Sequence, residues 1–117
     1  MKHFKMIIIG LLVMFGINQM NAQTVNGKKL SEIDSHYLEL MADRKNPFSM
    51  NVTVRVDYGQ SKEDRGLNKL EIRDDEDKII NFTSVVDALN FFYKNGYELK
   101  QTYLIKNVHH YLLVRIK

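Results

Sequence analysis

Between residues 50 and 58 apolar and polar side chains alternate without a break. Met50, Val52, Val54, Val56 and Tyr58 share one parity, and Asn51, Thr53, Arg55 and Asp57 the other. Successive side chains of an extended strand point to opposite faces, so this run reads as a β-strand buried on one side. A strand of that kind requires neighbouring strands and a layer to cover its apolar face, which excludes an all-helical or disordered chain. The same period recurs at residues 69–73, with Leu70 and Ile72 inward, and a short strand is expected at 78–82. Residues 35–42 are expected to form the first strand, before the break at Asn46-Pro47.

One helix interrupts the strands. Ser84 is a good N-cap, Asp87 three residues on suits both the capping geometry and the positive end of the helix dipole, and Gly96 is a natural stop. At about 100° per residue, Val85, Ala88, Leu89 and Phe92 share a face that Val86 and Tyr93 widen. Phe91 falls outside that arc, beside Asp87. Residues 97–105 and 108–116 then form a hairpin around the two-residue turn Lys106-Asn107. In that register Tyr97 faces Ile116, Leu99 faces Val114, Tyr103 faces His110, and Glu98 meets Arg115. The expected fold is α+β: a mostly antiparallel sheet of five to six strands in ββββαββ order, with the helix packed on one face.

The amino terminus has a separate logic. Lys2 and Lys5 precede an apolar run at 6–17, and a polar stretch ends at Ala22. This is the order of a cleavable signal peptide. Twelve helical residues rise about 18 Å against a hydrocarbon core of about 30 Å, so no stable membrane anchor is expected after cleavage. Residues 1–22 are therefore assigned as signal peptide, 23–30 as a flexible leader and 31–117 as a single domain, periplasmic or secreted. The chain has no cysteine, so neither a lipid anchor on cysteine nor a disulfide supports it, although the compartment allows disulfides.

Charge excludes a further class. Of 17 Lys plus Arg, two leave with residues 1–22, so 15 remain against 14 Asp plus Glu. No basic run is present, and no nucleic-acid partner is expected.

Several motifs resemble those of a family of small exported proteins from Bacteroidetes bacteria. They are Asp57-Tyr58-Gly59-Gln60, Phe82-Thr83-Ser84, Asp87-Ala88-Leu89-Asn90, Asn95-Gly96-Tyr97-Glu98 and Tyr111-Leu112-Leu113-Val114-Arg115. The resemblance spans roughly residues 33–117. It implies the fold and export, and it supplies no catalytic residues.

Chemistry-bearing clusters are few. His109 and His110 are strand neighbours that point to opposite faces and cannot share one metal ion. Asp74-Asp75-Glu76-Asp77 lacks the spacing of a calcium loop and reads as a solvated turn. No phosphate loop and no Ser-His-acid set stands out, so neither an enzyme nor a cofactor or metal is expected. Width suggests a partner instead. Six strands at about 4.8 Å spacing exceed the roughly 10 Å of one helix. The remainder must be closed by curling, by the leader or by another chain. The expected function is a non-catalytic interaction module that acts through a protein partner or a homo-oligomer, with Phe91, Tyr103 and His110 as the candidate surface. The alternative is a small-ligand or glycan-binding domain with a tyrosine-lined pocket between helix and sheet, for which a hollow of several hundred Å³ would speak.

Overall fold

The computed structural model describes residues 23–44, 46–66 and 69–117. The expected signal peptide lies outside them. In chain order come β1 (Thr24–Val25), β2 (Lys28–Lys29), a 3-10 turn (Leu30–Glu32), β3 (Tyr37–Arg44) and β4 (Val52–Asp57). A second 3-10 turn (Lys62–Arg65), β5 (Ile72–Arg73), α1 (Val85–Lys94), β6 (Tyr97–Ile105) and β7 (Val108–Arg115) follow. The α+β class is as expected. The single sheet is not: the strands form two antiparallel sheets, one of four strands in the order β4-β3-β7-β6 and one of three in the order β2-β1-β5.

The alternating run forms the edge of the large sheet. Val52, Val54 and Val56 are buried, with Thr53, Arg55 and Asp57 half-buried between them. Met50, which the period places inward, lies outside the strand and is 67% exposed. The strands expected at 69–73 and 78–82 shrink to β5 and three isolated bridges, Arg55 to Glu71, Arg73 to Ile79 and Val52 to Phe82. The acidic run explains the shortening. Asp74 Oδ1 accepts the N–H groups of Glu76 and Lys78 at 2.9 and 3.0 Å, and Asp77 adopts φ +62°, so the chain reverses at once.

The segment expected to be a loose leader is part of the fold. Asn26 and Gly27, at φ +53° and +75°, make the two-residue turn between β1 and β2. β1 then pairs with β5, Val25 opposite Ile72. Val25, Leu30, Ile33 and Ile72 are all buried in the same core as the sheet valines. The leader is thus what closes the part of the sheet that one helix is too narrow to cover.

Helix α1 begins and ends where its caps place it. Ser84 Oγ accepts the Asp87 N–H at 3.1 Å, while Asp87 Oδ2 accepts the Thr83 N–H at 3.1 Å. At the other end Gly96 adopts φ +93° and donates its N–H to Tyr93 O at 3.0 Å. The buried face is rotated from the expected one. Ala88 and Phe92 are buried and Val85, Leu89 and Phe91 pack beside them, whereas Val86 and Tyr93 are exposed. Phe82 causes the rotation. Its backbone is bonded to Val52 on β4, and its ring centroid lies 5.4 Å from that of Phe91. Phe91 is therefore a packing residue and not part of a free surface.

The final hairpin keeps the expected register near its turn, where Lys106 and Asn107 both have positive φ and Tyr103 faces His110. A bulge at Lys100 then slips the register by one, so that Tyr97, not Glu98, faces Arg115.

Candidate interaction face on the large sheet

Leu38 and Leu40 of β3 and Leu113 of β7 point into the core beneath α1. Alternation therefore places Glu39, Met41, His110 and Leu112 on the opposite face, which no helix of the described residues covers. Tyr103 stands directly across from His110 on this face. Of the three residues expected to share a surface, Tyr103 and His110 meet here, and Phe91 lies on the helix side of the sheet.

Their meeting point is Glu39, which carries no local signal in the sequence. Both Tyr103 Oη and His110 Nδ1 bond to its carboxylate, the histidine at 2.6 Å. The rings of Tyr103 and His110 stack, with centroids 5.0 Å apart and planes within 9°. An ionised carboxylate only accepts, so a hydrogen sits on Nδ1. Next to Glu39 across the β3–β4 ladder is Asp57, held by Arg65 at 2.9 Å.

The network perturbs both acids. Partial burial pushes the Glu39 carboxyl up, but the hydrogen bonds from Tyr103 and His110 and the charges of His110 and Arg65 outweigh it. The net result is a carboxyl below its ordinary range. The Tyr103 hydroxyl is pushed up to about 12, first by its bond to Glu39, then by burial and by the charges of Glu39 and Asp57. A Glu–His pair activates a nucleophile when a hydroxyl or thiol stands at the second ring nitrogen. Here the imidazole is engaged by Glu39 at Nδ1 and by Tyr103 on its face. The arrangement fixes two aromatic rings in place.

His109 points to the other face and lines a hollow of about 480 Å³ between the start of α1, the ends of β3 and β4, and the β6–β7 turn. The hollow has the size expected of the ligand-binding alternative, but Tyr111 is the one tyrosine in its wall, so it is not tyrosine-lined. Comparison with family models, with curated proteins and with solved structures gives no match.

Proposed function

We propose that residues 1–22 direct export and that the folded domain is a non-catalytic interaction module, which binds a protein partner or a second copy through the sheet face carrying Tyr103 and His110. The observation that supports this reading is the pre-set pair of rings on a face that α1 leaves open. Aromatic side chains dominate interfaces because they bury much area with few rotatable bonds. A tyrosine already held by a carboxylate and a stacked ring loses little further freedom on binding. Ile105, on the same face and 48% exposed, extends the apolar surface beyond Tyr103.

Site-specific photocrosslinking in the native envelope tests the reading. A photoreactive residue at position 105 is expected to give a discrete adduct that Tyr103→Ala removes without changing the circular dichroism spectrum. A control at Asp75, in the acidic turn, is expected to give none. Equal adducts from both positions, or an adduct that survives Tyr103→Ala, would overturn the assignment. The mass of the adduct separates a partner from a second copy.

A further inference from the structure

The hollow on the helix side of the sheet has a chemistry of its own. Its origin is a mismatch of lengths. Ten residues of α1 rise about 15 Å, while the eight of β3 extend about 27 Å. The core-side residues of β3 are Leu38, Leu40, Ala42 and Arg44. The first two are buried, Ala42 is half-buried, and Arg44 is exposed. Alanine stands where the pattern elsewhere places leucine, so the sheet surface drops just where Val85 begins the helix. Val52, paired with Arg44, and Tyr111, paired with Leu40, complete an apolar floor. Asn107 and Val108, at the β6–β7 turn, also line the hollow.

The rim carries hydrogen-bond donors and positive charge. Arg44, His109 and Asn107 all line the hollow. Asp43, the acid in the wall, is neutralised by Arg55 at 2.8 Å. Arg44 has no ion-pair partner among the described residues. The lining as a whole is more polar than apolar. A small apolar floor beneath a guanidinium without an ion pair offers a ligand mainly charge-assisted hydrogen bonds, while the floor orients its body.

We propose that this hollow binds a small organic anion: a flat apolar body resting on Ala42, Val52, Val85 and Tyr111, with a carboxylate or sulfonate held by Arg44. The site is on the opposite side of the sheet from Tyr103 and does not depend on the interaction face.

Two fluorescent probes of the same shape test it, anilinonaphthalenesulfonate and its uncharged relative phenylnaphthylamine. The exported protein is expected to bind the sulfonate saturably at one site per chain, about tenfold more tightly than the uncharged probe, a difference of ~1.4 kcal/mol. Arg44→Gln is expected to remove that preference and leave the uncharged probe unaffected. Because Arg44 is exposed, this variant keeps the fold, which a thermal melt checks. Ala42→Leu fills the floor and is expected to abolish both. Amide shifts in the unsubstituted protein are expected at Ala42, Val52, Val85, Asn107 and Tyr111. Absence of saturable binding, equal affinity for both probes, an Arg44→Gln variant that keeps the preference, or shifts centred on Tyr103 and His110 would each overturn the proposal. Tyr103→Ala is expected to leave probe binding unchanged, so the failure of either site is read independently of the other.

Discussion

Replacing Val25 by alanine asks whether the start of the domain is part of its core. Val25 is fully buried, and β1 holds it between Lys28 on one side and Ile72 on the other. The substitution removes two carbon groups, worth about 1.6 kcal/mol at ~0.8 kcal/mol each. A site pinned by two strands relaxes little, so the cavity adds to that loss, for a total of about 2–3 kcal/mol. Against the roughly 5–15 kcal/mol of a small domain this is a large share. Urea titration followed by circular dichroism is expected to show a lower midpoint with an unchanged slope. Lys28→Ala, an exposed change on the neighbouring strand, is expected to stay within about 0.5 kcal/mol. If Val25→Ala costs no more than that control, β1 contributes nothing to the core and the closure of the sheet by residues 23–33 is refuted.

Phe91→Asp is expected to destabilise the monomer by at least about 2 kcal/mol in a thermal or urea melt, because the carboxylate would replace a ring packed on Phe82 and Phe92; a variant of unchanged stability would return Phe91 to the surface. Glu39 titrates below its ordinary value of 4.5 in the folded state, so its contribution is present above about that pH and is lost as pH falls through the lower folded value. Glu39→Gln should flatten that acid limb of the stability curve, and an unchanged acid limb would refute the network's role. Tyr103 is raised from 10 to about 12, so its contribution is intact below pH 10 and is lost as pH rises towards 12; Tyr103→Phe should remove this alkaline loss and the latest-titrating phenolate absorbance. If the proposed export is right, mass spectrometry of the protein from the periplasmic or culture fraction should find an amino terminus within two residues of Gln23, and intact Met1 in the membrane fraction would contradict cleavage.

The elements that were legible in the sequence are those whose signal is local. Alternation over 52–57 within the run expected at 50–58, the Ser84 and Asp87 cap, the Gly96 stop and the Lys106-Asn107 turn each involve residues close in the chain, and each appears in the structure. Strands of two residues carry no period, so β1 and β2 could be found only through Asn26-Gly27, a strong hairpin signal that their polar surroundings obscured. The helix face was misjudged for another reason. A wheel drawn from the helix alone weighs its own residues, and the azimuth of Phe91 is decided by Phe82, which comes before the cap. Glu39 is the extreme case. Its bond to His110 spans 71 positions and exists only because β3 pairs with β7, a pairing that no local pattern encodes.

The motifs that carry the family resemblance have a physical role of their own, and it explains why they point to no site. In Asp57-Tyr58-Gly59-Gln60, Asp57 Oδ1 accepts the Gly59 N–H at 2.9 Å. Gln60 accepts the Tyr58 N–H at 2.8 Å and donates to Val56 O at 3.0 Å. The motif is a turn that satisfies its own backbone as β4 ends. Tyr97 and Arg115, from the two hairpin motifs, form a clamp. The guanidinium lies 5.4 Å from the centre of the Tyr97 ring and donates to its hydroxyl at 3.0 Å, and that hydroxyl donates to Ser35 O at 2.9 Å. A second bond from Arg115 reaches Ile33 O. The clamp ties the hairpin to the segment that leads from the small sheet into β3. The residues just named are spent on holding the architecture, and of the motif residues Tyr111 alone also lines the hollow. Glu39, Tyr103 and His110 on one face, and Ala42, Arg44 and His109 on the other, all lie outside those motifs. Residues that terminate strands and clamp segments answer to backbone geometry, which any chain with this topology must satisfy. Side chains on an open face or a hollow rim are under no such demand, so they are where a particular partner or ligand can be specified.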